Sequence, residues 1–149
     1  MPKILVVYHS QSGNTDAAAK AVAKGAKEVK GIKVVIKEGL KATAKDLLDC
    51  DGIAIGTPDY FSYMAGGLKD FFDRTFYPTQ GKVTDKPYVL FVTHGGGGDA
   101  YKSVESMCRN FKFKKIADIV AVENRPDKKK TAELELLGKK LATVLSSGK

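Results

Sequence analysis

Runs of apolar, β-branched-rich residues recur along the chain at 3–8, 32–37, 52–57, 87–93 and 116–123. Runs of this length suit strands better than helices. Four of them are nearly continuous hydrophobic stretches, the pattern of strands covered on both faces. The exception is Val34-Val35-Ile36, which lies between Lys33 and Lys37 and suits the edge of a sheet. Between the runs lie segments of helical period, at roughly 14–29, 43–49, 66–76, 99–112 and 128–146. In the first, Ala18, Val22, Ala26 and Val29 share one face, and Lys20, Lys24 and Lys27 form the opposite stripe. In the last, Leu134, Leu137, Leu141 and Leu145 recur at helical spacing after the start signal Pro126-Asp127. Strict alternation of strand and helix predicts an α/β fold built on a parallel sheet. Five strands and five helices, with no repeat or linker between them, predict one domain over residues 1–149. The expected architecture is a doubly wound five-stranded sheet of order 2-1-3-4-5 with helices on both faces.

That order locates function. Ligands of such sheets bind outside the carboxyl ends of the strands, where the strand order reverses. The unusual loops should then follow strands 1, 3 and 4, and they do. "SQSGNT" (10–15) follows the first, "TPDYFSYMAGG" (57–67) the third and "THGGGGDAY" (93–101) the fourth. The loop after the second strand, "EGLKATAK", is ordinary turn material.

The first loop opens a helix, whose unpaired N–H groups and partial positive charge attract phosphate. Ser10, Ser12 and Thr15 add hydroxyls, Gln11 and Asn14 add amides, and Gly13 allows close backbone approach. No lysine follows, so the pattern is not that of a triphosphate loop. A phosphate monoester held by neutral donors fits it; the bland alternative is an elaborate helix cap. The second loop gathers Tyr60, Phe61, Tyr63 and Met64, which suit the cover of a flat conjugated ring or, singly, packing on the sheet. The third holds four consecutive glycines, Gly95 to Gly98, after Thr93 and His94. So many glycines carry a large entropic cost, and close approach to a flat ligand is one reason for it. Gly95, Gly97 and Ala100 also fit a dinucleotide G-x-G-x-x-A pattern, on the fourth strand rather than the usual first. His94 is a candidate proton donor or a plain strand-end residue.

Composition changes this picture little. Hydrophobic residues at 43% and charged residues at 28% are those of a globular protein, and no window is apolar enough to span a bilayer. The net charge of +8 permits nucleic-acid binding. The lysines are spread, however, and no recognition helix or stacking motif accompanies them, so an acidic protein or an anionic cosubstrate is the expected partner. Cys50 and Cys108 stand far apart without C-x-x-C or matching histidines, which gives no zinc site and no disulfide framework. Reduced thiols and the absence of a secretory pattern predict a cytoplasmic protein.

"SQSGNT" matches the [ST]-x-[ST]-G-x-T phosphate loop of the flavodoxins. "GTPDYFSYMAGGLKDFFDRT" (56–75) resembles the corresponding segment of FMN-dependent NAD(P)H:quinone reductases of the tryptophan-repressor-binding-protein type and of small flavodoxin-like proteins. The resemblance covers nearly the whole chain and implies FMN as cofactor. It implies that Ser10, Gln11, Ser12, Gly13, Asn14 and Thr15 bind the FMN phosphate. Pro58, Asp59, Tyr60, Phe61, Ser62, Tyr63 and Met64 would line one side of the isoalloxazine. Thr93, His94, Gly95, Gly96, Gly97 and Gly98 would close the other, with Asp99 nearby. Two departures stand out. Flavodoxins are commonly acidic, and they often place beside the flavin a glycine whose peptide turns over during one-electron chemistry. This chain is basic, and residues 58–65 contain no glycine. It also has little room for the insertions that build the reductases' tetramer, so a homo-oligomer stays open.

Two functions follow from the resemblance. One is two-electron transfer from NAD(P)H to a quinone or similar small acceptor, with Tyr60 or His94 as candidate catalytic residues orienting the acceptor. The other is a flavodoxin-type one-electron carrier with an acidic redox protein as partner. A receiver domain of the same topology would need acidic residues at the end of strand 1, where Tyr8-His9 stands.

Overall fold

A computed structural model describes residues 1–147. The chain runs β1 (Lys3–Tyr8), α1 (Asn14–Lys27), β2 (Lys33–Glu38), α2 (Ala44–Asp49), β3 (Gly52–Pro58), α3 (Gly66–Thr79), β4 (Pro87–His94), α4 (Tyr101–Phe111), β5 (Lys114–Lys115), β6 (Val120–Glu123) and α5 (Lys128–Ser147). The sheet is parallel throughout, in the order β2-β1-β3-β4, and β5 and β6 share the fifth position beside β4. The predicted 2-1-3-4-5 order is therefore the observed one.

The fifth strand differs from its predicted run, 116–123. Tyr88 pairs Lys115 and Phe91 pairs Val120, so β4 advances three residues where its neighbour advances five. The two extra residues leave the ladder around Asp118, the one charged residue between Ile116 and Val122. β2 is an edge strand, as its lysines suggested.

Alternation along the strands sorts the apolar side chains into two layers. Leu5, Val7, Ile53, Ile55, Leu90 and Val92 face α2, α3 and α4, where Leu47, Leu68, Phe71, Phe72, Val104 and Phe111 meet them. Ile4, Val6, Ala54, Val89 and Phe91 face α1 and α5. The alanine face of α1 lies in this second layer, with Ala18, Val22 and Ala26 fully buried. Alanine is small, so α1 and α5 approach closely. At the crossing even a methyl group is too large: a Cβ on Gly25 would overlap the Glu135 backbone, and one on Gly138 would overlap the Val22 carbonyl.

At the far end of the sheet a lysine closes a helix. The Lys86 ammonium donates to the carbonyls of Leu47 (2.9 Å), Leu48 (3.1 Å) and Cys50, the open carboxyl end of α2. These charge-assisted bonds satisfy acceptors that the helix cannot satisfy itself. Lys86→Met keeps the stem and removes the donor. It is expected to cost about 1–2 kcal/mol, read as a lower urea midpoint at unchanged slope. Cys50 and Cys108 are both free and buried, and burial pushes the Cys50 thiol up to about 11.

Candidate functional site

Three loops meet at the carboxyl ends of β1, β3 and β4. They form an open cleft lined by Gln11, Ser12, Asn14, Thr15, Pro58, Asp59, Tyr60, Thr93, His94, Gly95 and Asn124. Ten of these eleven were expected from the sequence. Asn124, on the turn from β6 to α5, was not. It stands in the left-handed region (φ 60°), and its backbone N–H donates to the His94 carbonyl at 2.7 Å. A left-handed asparagine at a strand end, followed by Arg125-Pro126-Asp127, is a turn signal that the sequence did carry.

The first loop is built to receive an acceptor. Gly13 occupies the N-cap position of α1 at φ 98°, where no side chain caps the helix. Its own amide donates to Ser10 Oγ at 3.1 Å. The amides of Ser12, Asn14, Thr15 and Asp16 have no acceptor among the described residues, at the positive end of a 14-residue helix. The one carboxylate of the first turn is held aside. Asp16 accepts the Tyr8 hydroxyl at 2.5 Å and pairs with Lys20 at 2.9 Å, and it does not line the cleft. The Tyr8 hydroxyl and Lys20 hold its carboxyl below the usual carboxylate range, while burial and the neighbouring Asp16 raise the Tyr8 phenol.

Thr15 has a partner that the sequence could not indicate. Its hydroxyl lies 2.7 Å from that of Thr93, and both residues are buried. Two hydroxyls share one hydrogen bond here, which ties the start of α1 to the end of β4. Thr93→Val would leave Thr15 Oγ1 without its partner. It should cost about 1–2 kcal/mol in chemical denaturation, while Thr93→Ser should stay near the parent.

The second loop is a tight hairpin. Tyr60 and Tyr63 exchange both backbone hydrogen bonds, at 3.0 and 3.1 Å, around Phe61 (φ 59°) and Ser62 (φ 63°). Two positive φ angles between such a pair define a type I′ turn, a form that favours Asn-Gly. Phe61 sits at its tip, fully exposed, and Tyr63 is 46% exposed. Met64 points the other way, into the core among Leu68 and Val92. Tyr60 lies at the cleft wall, its ring centroid 6.3 Å from that of His9 in an edge-on arrangement, and burial raises its phenol.

The glycine loop is shaped by its neighbours. The Gly96 amide donates to His94 Nδ1 at 3.0 Å, which leaves Nε2 as the hydrogen-bearing nitrogen. Gly98 packs on the same imidazole. Gly95, Gly96 and Gly97 are exposed, and Asp99 is exposed and turned toward Lys102 at 4.0 Å. Of the residues proposed to touch the ring, the structure thus gathers Pro58, Asp59, Tyr60, Thr93, His94 and Gly95 at the cleft. It sets Phe61, Ser62, Tyr63, Met64, Asp99 and Gly96 to Gly98 outside its lining.

A parallel 2-1-3-4-5 sheet with an uncapped helix N-terminus and an aromatic wall at its switch point defines a flavodoxin-like site. Known proteins agree. Residues 33–127 match the NADPH-dependent FMN reductase family. A flavodoxin of Aquifex aeolicus (strain VF5) is 35% identical over 117 residues, which are 76% of this chain and 63% of that relative's length. Among solved structures, a flavodoxin from the domain Archaea superposes with a TM-score of 0.88 at 24% identity, covering 97% of this chain and 99% of the other. A flavodoxin, WrbA-like protein from Agrobacterium tumefaciens gives 0.80 at 22% identity over the full length of both. These two likenesses speak for the fold. The chain belongs to the NADPH-dependent FMN reductase family and is a flavodoxin-like flavoprotein whose cofactor is FMN. The residues present fit that cofactor: donors without acceptors stand where a phosphate needs them, and the carboxylate of the first turn, Asp16, is turned to Tyr8 and Lys20. Among the described residues no helix is long and apolar enough to cross a membrane.

Proposed function

We propose that the protein is an NAD(P)H-dependent oxidoreductase that passes electrons in pairs to a quinone or similar small acceptor. The observation that carries this reading is the Phe61–Ser62 turn. Turning over its central peptide would convert type I′ to type II′, whose first central residue keeps φ positive with an extended ψ. That region is essentially reserved for glycine, and residue 61 is phenylalanine. A loop that cannot turn over offers no special support to one-electron chemistry. The family supports the same direction, and the basic surface favours an anionic dinucleotide.

The chemistry supplied by bound FMN is acceptance of a hydride from the nicotinamide and delivery of the electron pair to the acceptor. The chain's share is binding and orientation. Ser12, Asn14 and the free amides of the first turn would hold the phosphate. Pro58 and Tyr60 would form one wall of the ring site, and Thr93, His94 and Gly95 the other. Among the donors at the cleft, His94 Nε2–H and the Tyr60 hydroxyl would orient the ring or the acceptor. With two buried reduced thiols, the cytoplasm is the proposed site of action.

A second reading is a one-electron carrier serving an acidic redox protein. The relatives that are themselves named flavodoxins favour it. Potentiometry of the FMN-loaded protein separates the two. The enzyme reading expects a single two-electron wave, and two resolved one-electron waves in Phe61→Gly. Two waves in the parent protein would support the carrier.

A further inference from the structure

One residue touches both walls of the cleft. The Asp59 amide donates to the Thr93 carbonyl at 2.8 Å, which fixes its backbone to β4. Its carboxylate then accepts three backbone N–H groups from two loops. Oδ1 takes Ser62 N at 2.8 Å, and Oδ2 takes Gly98 N at 2.9 Å and Ala100 N at 3.1 Å. Each loop needs this support. The hairpin holds Phe61 and Ser62 in a conformation that costs free energy in non-glycine residues. The segment Gly95 to Gly98 has no side chain of its own to fix it, and Gly96 and Gly98 both have positive φ. Helix α4 has no side-chain cap from its own N-cap residue, Ala100, and an oxygen from 41 residues away accepts the Ala100 N–H, one of the open donors of that helix end.

We infer that Asp59 is a positioning residue, a latch whose carboxylate sets the aromatic hairpin and the glycine loop against each other. It thereby fixes the width of the slot between them. The inference rests on the reading of this cleft as the flavin site. It adds to the place at the cleft that the sequence suggested for Asp59 the role of holding the two loops beside it. Both oxygens are needed. In Asp59→Asn one of them becomes an NH2 group, which meets either the Gly98 and Ala100 amides or the Ser62 amide, donor against donor. One wall therefore loses its anchor whichever way the amide turns.

The test is amide hydrogen exchange, read by NMR on the cofactor-free protein, together with flavin titrations. In Asp59→Asn the amides of either Gly98 and Ala100 or Ser62 should exchange at least about tenfold faster, a loss of one charged hydrogen bond's worth of protection. Core amides of β3 and β4 should be unchanged. FMN and riboflavin should both bind at least about tenfold more weakly, and by the same factor, because the latch concerns the ring and not the phosphate. Asp73→Asn removes the same charge from the exposed face of α3 and should leave both readings at the parent values. Unchanged loop exchange would overturn the inference, and so would faster exchange with unaltered flavin affinity. If the variant does not fold, the parent protein answers instead. Gly98 and Ala100 should be protected while Gly95 and Gly97 exchange freely, and equal rates would end the idea. A protein that passes these tests yet takes no electrons from NADPH leaves the latch standing and removes the oxidoreductase reading.

Discussion

Ser12→Asp is expected to weaken FMN binding about a hundredfold or more while leaving riboflavin binding nearly unchanged. Ser12 is exposed, beside amides that have no acceptor. A carboxylate there would occupy the helix N-terminus in place of the phosphate. Two unit charges about 4 Å apart at an effective dielectric near 20 repel by roughly 4 kcal/mol, somewhat less with salt present. The same substitution should leave the cofactor-free protein equally stable or firmer by about 0.3–1 kcal/mol, since it adds a negative charge to the positive end of α1. Affinity and stability thus move in opposite directions, which general damage to the fold cannot imitate. Fluorescence titration with both flavins, beside urea unfolding of the free protein, measures both. Equal losses for FMN and riboflavin would move the phosphate away from this loop.

Gly138→Ala is the second large effect, and it is one of stability. In an open helix alanine is better than glycine by about 1 kcal/mol. Here the added carbon would overlap the Val22 carbonyl and press on the Ala26 nitrogen. Backbone cannot swing aside as a side chain can, so α1 and α5 must separate, at a cost of about 2–3 kcal/mol or more. The displacement should reach function as well. α1 carries Thr15 and the proposed phosphate loop at its other end, so FMN affinity should fall with stability. Gly66→Ala is the comparison: the site is open, with nothing within 4 Å of an added Cβ, and no loss is expected there. Thermal unfolding of the two variants side by side gives the sign. A stabilised Gly138→Ala would mean that the helices are not in contact at this point.

The fold was legible because its signals are local. Apolar runs, alanine and lysine stripes and the proline-aspartate start of α5 each lie within a few residues of what they specify. The strand order followed from the alternation and from where the unusual loops fell. The split of the last strand was half visible: Asp118 interrupts the run, but only the pairing with β4 shows that two residues leave the ladder. The site was legible as three loops and less so as contacts. Thr15 meets Thr93 across 78 residues, and Asp59 meets Gly98 across 39. Nothing in one dimension distinguishes these partners from other threonines and glycines. Met64 shows the converse limit. It sits among the loop aromatics in sequence, yet alternation around the hairpin turns it into the core. The Gly25–Gly138 crossing was missed for the same reason, since each glycine looks like a weak point in its own helix until the two helices meet.

In the proposed function, electrons enter this chain from a nicotinamide in pairs. The direct measurement is an anaerobic titration of the FMN-loaded protein with NADPH and then NADH, followed in the visible spectrum. The flavin absorbance is expected to bleach in one step, with no long-wavelength band on the way, and to recover on addition of a quinone. A flavin that stays oxidised with both nicotinamides, and that dithionite reduces in two separate steps, would contradict that function.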